Sequence, residues 1–493
     1  MRSHSTLLAM KKSLLLLTLV VSTTHAQHFQ DFLNRVYPAS EDRRTAIVDS
    51  FMAVHPTLPF IEQDTMVHFI YRGSATSVTV PGDANGWDGN AFPMTNIAGT
   101  DFWYRTQIFE ADARLDYKFI INGGTWILDP RNPFQITGGF GPNSELRMPR
   151  HPAAPEILYY PDIPHGALRD TIFFSPALGN SRTIRVYTPP GYESSSDSLP
   201  MILFHDGLEY VSLANANNVI DYLIWKRRIP PILAVFVPPV NRTQEYVSSQ
   251  INQFSTFIVS ELLPYIDQRY RTRRTPASRA VMGASNGGNI SLWLGYNYPQ
   301  VFGKVGAQSS NIIGQISDGF RSTSRRALKL YLDLGTYDIA MLIPLVRNFV
   351  PILQSNAYTY RYREYHEGHS WGNWRAHLDE ALEFFFEAEA TGLGSEERSS
   401  IPGEIRLEQN YPNPFNERTV ISFRLSTVSD VRLSVSDMLG RDVATLVNNV
   451  KEAGNHIVTF EAPRSGVEFS SGVYFYRLQT EVSNRTMKMV LVR

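Results

Sequence analysis

The stretch Gly283-Ala284-Ser285-Asn286-Gly287-Gly288 decides the fold of the central part of this 493-residue chain. A short apolar run, Arg279-Ala280-Val281-Met282, leads into it. A helix-like run, Asn289-Ile290-Ser291-Leu292-Trp293-Leu294-Gly295, leads out. A serine between two glycines on a strand-to-helix turn is a nucleophile elbow. The turn is too sharp for side chains at the flanking positions, so small residues are needed there. The Ser285 hydroxyl is then held exposed at a helix N-terminus, where the dipole favours developing negative charge.

A lone Gly-x-Ser-x-Gly stretch carries little weight, because glycine and serine are abundant. Two downstream features add to it. Asp338 follows the strand-like run Leu328–Leu334 and the turn Gly335-Thr336. His369 follows a second such run, Tyr358–Arg363, and lies in Glu367-Gly368-His369-Ser370-Trp371. The order Ser, Asp, His is that of α/β-hydrolases, and both partners fall on loops just beyond strands. Asp333 is a rival acid, but it lies inside a strand run. His366 is a rival base without the Gly-His-Ser-Trp setting, and His205 reads as structural.

Around the elbow, residues 155–390 alternate strands and helices. Met201–Phe204 and Ile232–Val237 are short continuous apolar runs, as parallel strands buried on both faces require. Ile251, Phe254, Ile258 and Leu262 form one helical stripe, and a helix over Asn373–Phe386 closes the segment. Alternating units of this kind imply a doubly wound sheet.

The flanks differ. Residues 1–26 read as a signal peptide, with Lys11-Lys12, an apolar core from Leu14 to Val21 and a Thr24-His25-Ala26 cleavage site; Met10 is an alternative start. Residues 27–64 show helical spacing, in Phe29, Phe32, Leu33 and Val36 and again in Ile47, Phe51 and Val54. Residues 65–150 switch to a period of two and predict a small β-sandwich, with Phe102–Ile108 and Leu115–Ile121 as clear strands. Residues 391–404 read as a Gly-, Ser- and Glu-containing linker, and 405–493 are again all-β.

Composition narrows the function. Forty-six basic against 47 acidic residues give a net charge of −1, so no bulk field favours nucleic acid or an anionic membrane. No apolar run reaches about 18 residues, the length of a transmembrane helix. The chain has no cysteine, which excludes thiol catalysis, disulfides and cysteine-type zinc sites. His, Asp and Glu show no metal spacing, and neither a metal nor a cofactor is expected. Asp83, Asn85 and Asp88 lack the glutamate of a calcium loop and read as a solvated turn.

Three resemblances extend this reading. Gly82-Asp83-Ala84-Asn85-Gly86-Trp87, Tyr117-Lys118-Phe119 and Leu128–Pro133 with Asn143-Ser144 resemble the early-set immunoglobulin-like domains of branching enzymes, family 48 carbohydrate-binding modules and enterochelin esterases. That likeness implies an immunoglobulin-like β-sandwich, with Trp87, Trp103 and Trp126 as candidate sugar-stacking residues. Arg185–Tyr192, Leu203-Phe204-His205-Asp206-Gly207, Arg242 with Glu245-Tyr246, the Ser285 elbow and His369-Ser370-Trp371 with Trp374-Arg375 resemble the esterases that include enterochelin, feruloyl and acetyl-xylan esterases. Leu407–Asn416, Leu439-Gly440-Arg441, Ser471–Tyr474 and Lys488–Arg493 resemble the type A sorting domain of type IX secretion. This implies a C-terminal β-sandwich, the type IX machinery as a partner, and export to the cell surface or beyond.

The expected fold is therefore an α/β-hydrolase sheet between an N-terminal and a C-terminal β-sandwich. The expected activity is a secreted serine esterase acting on a feruloyl or acetyl ester of plant polysaccharide. A siderophore trilactone esterase, an acyltransferase and a non-catalytic carbohydrate-binding protein are the alternatives. Ser285 would attack, His369 would shuttle the proton and Asp338 would orient the imidazole. The amides of Asn286 and of Gly207 or Leu208 would form the oxyanion hole. Arg242, Glu245, Trp371 and Trp374 are the expected substrate-binding residues, with Arg242, Glu245 and Tyr246 read either as a buried pair shaping the acyl pocket or as a purely structural ion pair.

Overall fold

The computed structural model describes residues 28–139, 141–387 and, with short interruptions, 406–492. The expected signal peptide and linker lie outside the described residues. The chain divides into two compact units, Met1–Ala388 and Glu389–Arg493.

The core of the first unit is built from the apolar runs. Met201–His205, Leu233–Val237 and Arg279–Ala284 are buried at every position. They pair in parallel, Ile202 against Ala234 on one side and against Ala280 on the other. Lys304–Gln308, Lys329–Tyr337 and Thr359–Gly368 continue the parallel sheet. Asn180–Thr188 and Ala167–Ser175 close the other end antiparallel.

Helices cover both faces, because a parallel sheet cannot leave apolar residues in water on either side. One face buries Phe254, Ile290, Leu292, Phe320 and Phe349 against Leu203, Val235 and Val281. The other buries Tyr210, Leu223, Leu378 and Leu382 against Phe204, Phe236 and Met282. Each fully buried aliphatic or phenylalanine side chain contributes roughly 1.5–3 kcal/mol. The predicted stripe Ile251, Phe254, Ile258, Leu262 lies on one continuous helical run from Ile251 to Arg269, with a π-helical stretch at Phe257–Leu262. The predicted helix over Asn373–Phe386 is instead two helices, Trp371–Ala376 and Leu378–Phe385. They break at His377, whose buried imidazole pairs with Glu367 at 2.8 Å.

The N-terminal part departs most from expectation. Helices Phe29–Val36 and Glu41–Val54 bury Phe29, Phe32 and Phe51 against Ile70 and Phe102 of a four-stranded sheet. The run Leu115–Ile121, expected as one strand, is two, Arg114–Tyr117 and Phe119–Ile121. The break falls at Lys118, whose backbone N–H donates to Pro81 C=O at 2.9 Å. Phe119–Ile121 pairs with Val78–Thr79 and Thr125–Ile127. Arg114–Tyr117, by contrast, pairs with Gly141–Arg147 and, through Arg114 and Glu367, with the last strand of the central sheet. The central sheet thus runs unbroken through eleven strands into the N-terminal region. The N-terminal strands are not a free-standing sandwich: Arg114–Tyr117, Gly141–Arg147 and Gln135–Gly138 form the end of the central sheet.

The second unit packs a three-stranded and a four-stranded antiparallel sheet around Ile421, Phe423, Leu433, Tyr476 and Met489. Its strands include the predicted runs at 420–423, 431–435 and 472–478. The motif residue Asn413 accepts the Val490 amide at 2.8 Å, and Phe415 is buried beside the last strand. Of the Leu439-Gly440-Arg441 motif, residues 439 and 440 lie outside the described residues.

Because Arg114 and Glu145 fill the end of the central sheet, a fragment of residues 151–387 leaves Glu367 with His377 but strips Ser370 and the sheet end of the Arg114 guanidinium. Such a fragment is expected to lose the single cooperative urea transition of the chain spanning residues 28–387, measured by tryptophan fluorescence. An unchanged transition midpoint would contradict the shared-sheet description.

Candidate active site

Strand Arg279–Ala284 delivers Ser285 to the first turn of helix Asn286–Asn297. Ser285 has φ 56° and ψ −120°, a conformation an L-residue adopts only under constraint. The elbow is closed by its glycines. A Cβ on Gly283 would lie 2.5 Å from the Gly287 carbonyl, and one on Gly288 would lie 2.9 Å from Ser310 Oγ. The Ser285 amide donates to Gln308 C=O at 2.8 Å, which anchors the turn to the next strand.

Asp338 follows the strand Lys329–Tyr337 directly, and His369 follows Thr359–Gly368. Both strands run some residues further than the apolar pattern indicated, so each residue sits at a strand end. His369 Nδ1 and Asp338 Oδ1 are 2.7 Å apart, and the Asp338 side chain is fully buried. The Ile339 amide donates to the same Oδ1 at 2.7 Å. Trp374 stands edge-on to the His369 ring at 5.0 Å, with Trp371 edge-on to Trp374 at 5.0 Å.

Ser285, Asp338 and His369 all line one cavity of about 940 Å³. Asp206, Arg242, Trp371 and Trp374 also line it, and Asp83, Trp87, Asp116, Lys118, Trp126 and Asn143 wall it from the N-terminal strands. A cavity of that size takes a ligand well beyond a simple acetate ester.

The two expected oxyanion loops come together through Arg242. Its Nε and Nη2 donate to the Asp206 carboxylate at 2.8 and 2.7 Å, and Nη2 also donates to Ala284 C=O at 3.0 Å. Asn286 begins one helix, and Gly207 and Leu208 begin another, Gly207–Ser212. Amides in a helix's first turn have no acceptor within the helix. Gly207 packs so closely on strand Leu233–Val237 that a Cβ there would lie 2.2 Å from the Val237 nitrogen.

Of the expected grouping of Arg242 with Glu245 and Tyr246, Arg242 lies over the Tyr246 ring at 5.8 Å, but Glu245 needs correction. Glu245 is fully buried and pairs with Arg182 at 2.9 Å, away from the cavity. Its helix points it into the sheet edge, while Arg242, one turn earlier, points at Asp206. Tyr246 is also buried, donating no contact to the cavity; its hydroxyl accepts the Asp206 amide at 3.1 Å. Trp103 is core, packed among the N-terminal strands, so it cannot stack on a sugar. Asp83 is not in a solvated turn. It is buried, accepts from Trp87 Nε1 and the Asp116 amide, and its pKa is pushed well above the usual range by burial and by the neighbouring Asp116 charge.

The rival residues lie elsewhere. His366 is at the surface with Asp112. His205 is wholly buried, and burial followed by the Arg242 charge pushes its pKa down to about 3, so it stays neutral. Asp333 is sealed behind the elbow and accepts from Gln308 Nε2 at 2.9 Å. Sequence reasoning missed Arg114, Asp116, Tyr337 and Glu367 around the site. The glycines on either side of His369-Ser370-Trp371 were the one visible signal that something packs closely there.

Residues 175–385 match the family model "Putative esterase", and residues 409–492 match the model "Secretion system C-terminal sorting domain". The Iron(III) enterobactin esterase of Escherichia coli O6:H1 (strain CFT073) is 27% identical over 244 residues, covering 44% of this chain and 60% of that protein. The Endo-1,4-beta-xylanase/feruloyl esterase of Xylanibacter ruminicola is 26% identical over 165 residues, 31% of this chain and 22% of that protein. The chain thus spans less than two thirds of either relative, 60% of the first and 22% of the second. The solved ferric enterobactin esterase of Salmonella typhimurium has the same fold, with a TM-score of 0.61 at 21% identity over 68% of this chain and 98% of that one.

Asp333 provides a test of the buried network. Burial raises its pKa from 3.8 to about 7. The folded state therefore holds its proton between about pH 4 and 7, where the unfolded state has lost it, so this group makes stability fall as pH rises through that window. Asp333→Asn is expected to gain melting temperature relative to the parent as pH rises from 4 to 7. A difference that does not change with pH would contradict the assignment.

Proposed function

We propose that this chain, which carries an esterase-family domain and a type IX sorting domain, is an exported serine esterase working through an acyl-enzyme. The observation that carries the reading is the strained Ser285 facing the same cavity as the His369–Asp338 pair. Ser285 Oγ attacks the ester carbonyl while His369 Nε2 takes its proton and returns it to the leaving alcohol. Water then repeats the sequence on the acyl-enzyme. Asp338 holds Nδ1 protonated and stabilises the imidazolium. The Asn286 amide and that of Gly207 or Leu208 take the oxyanion, each such donor being worth about 2.7–4 kcal/mol of transition-state stabilisation.

The substrate we favour is an ester of a neutral sugar polymer, such as a feruloyl or acetyl group on plant polysaccharide. Export to the cell surface or outside favours an extracellular substrate. The cavity charge points the same way. Asp206 is compensated by Arg242 and Asp116 by Arg114, whereas Asp338 meets the His369 imidazole and Asp83 and Glu209 add further carboxyl groups to the lining. Among the described residues, Lys118 is the lining cation without a carboxylate within ion-pair distance. A ferric catecholate carries several negative charges and would find little to balance them. Trp87 and the half-exposed Trp126 offer flat apolar faces for a sugar or aryl ring, in line with an early-set carbohydrate-binding origin of the N-terminal strands. A siderophore lactone is the second reading, favoured by the likeness to an enterobactin esterase.

Acid release from methyl ferulate, acetylated xylan, p-nitrophenyl acetate and a catecholate trilactone tests the proposal. Ser285→Ala is expected to abolish turnover on every ester, and Asp338→Asn to lower kcat by about 10⁴-fold without unfolding the protein. Wild-type rates in Ser285→Ala would overturn the mechanism. A preference for the trilactone would favour the second reading.

A further inference from the structure

The loop that carries His369 is gripped by the N-terminal strands at both of its glycines. A Cβ on Gly368 would lie 2.1 Å from Asp83 Cγ, and one on Gly372 would lie 2.0 Å from Arg114 Cζ. Between them, Arg114 Nη1 donates to Ser370 Oγ at 3.0 Å. Ser370 also caps helix Trp371–Ala376, accepting from the Asn373 amide. The remaining arms of the guanidinium are taken by Glu145 at 2.8 Å and Asp116 at 2.7 Å, and Glu367 stands 3.9 Å away. The Arg114 side chain is 2% exposed. Burial works against its charge, but these three carboxylates hold it protonated, above the ordinary arginine range. The same N-terminal segment reaches the Asp338 loop, where Tyr337 donates to Glu110 at 2.7 Å.

We infer that Arg114 is a positioning residue for the esterase reaction proposed above, fixing through Ser370 and Gly372 the place and angle of the His369 imidazole. The geometry asks for arginine in particular. Three donors at fixed angles hold two carboxylates on one strand pair and a hydroxyl on the catalytic loop, a fork that a lysine ammonium cannot reproduce. The N-terminal strands then serve as part of the catalytic frame, independently of any sugar they bind.

The test compares the parent chain with Arg114→Lys, Ser370→Ala and the double variant. The readouts are kcat and KM per folded molecule and the low-field proton resonance of His369 Nδ1–H. A small displacement of a catalytic group costs up to about 100-fold in rate, so each single variant is expected to lose roughly 10- to 100-fold in kcat. KM should stay within about twofold, because the loss falls on the transition state rather than on ground-state binding. The double variant should be no slower than the slower single one, since both changes remove the same Arg114–Ser370 bond through which the loop is held. The His369 resonance should shift or broaden in all three. Unchanged kcat, or effects that multiply in the double variant, would overturn the inference, because a merely structural arginine alters the melting temperature alone. Should Arg114→Lys fail to fold, Ser370→Ala carries the comparison. If the parent hydrolyses no ester, the esterase reading fails on its own, and the resonance decides the positioning role: moved in Ser370→Ala supports it, unmoved overturns it.

Discussion

A guanidinium taken out of water is costly unless its nitrogens meet acceptors and its charge is balanced, and all three nitrogens of Arg114 meet acceptors at one point in this molecule. Its acceptors come from Glu145, Asp116 and Ser370. That point is also where the N-terminal strands continue the central sheet, through the pairing of Arg114 with Glu367. Glu367 in turn holds the buried His377 at the break in the closing helix, and Trp374, on the helix before that break, stands edge-on to His369. Burial opposes charge on Glu145, yet Arg114 and Arg147 hold its pKa down at about 2. The site wall, the catalytic loop and the sheet edge therefore share one electrostatic centre.

The arrangement bears on how an exported protein without cysteine stays folded. With no disulfide to restrict the unfolded chain, stability rests on buried apolar surface and on satisfied polar groups. An unbroken sheet of eleven strands covered on both faces supplies the first. Buried ion pairs contribute to the second: Glu245 takes Nη1 and Nη2 of Arg182, although Arg182 Nε meets no acceptor among the described residues. Breaking a buried pair of that kind by removing one partner costs about 3–5 kcal/mol, so Glu245 matters for folding although it does not touch the cavity.

Much of this was legible in the sequence because it is periodic or local. The all-apolar runs at 201–204 and 232–237, the small residues around Ser285 and the loop positions of Asp338 and His369 each follow from chain-local rules. The strand alternation at 102–108 and 431–435 follows in the same way. What was not legible depends on polar partners distant in sequence. Nothing near Arg242 says that it pairs with Asp206 rather than with Glu245 one turn away, since both are acids within reach of a plausible model. The break at Lys118 is invisible to a period of two, because both halves keep the alternation while joining different sheets. Asp83 looks like an exposed turn residue until Gly368 is found packed against it.

The account stands or falls on Ser285 being an activated nucleophile in the folded protein. Intact-mass and peptide-mapping analysis after incubation with a fluorophosphonate tests that without assuming any substrate. The account predicts one adduct per molecule, carried by Ser285, and its loss in His369→Ala. A folded protein that takes no adduct, or takes it at another residue, would contradict it.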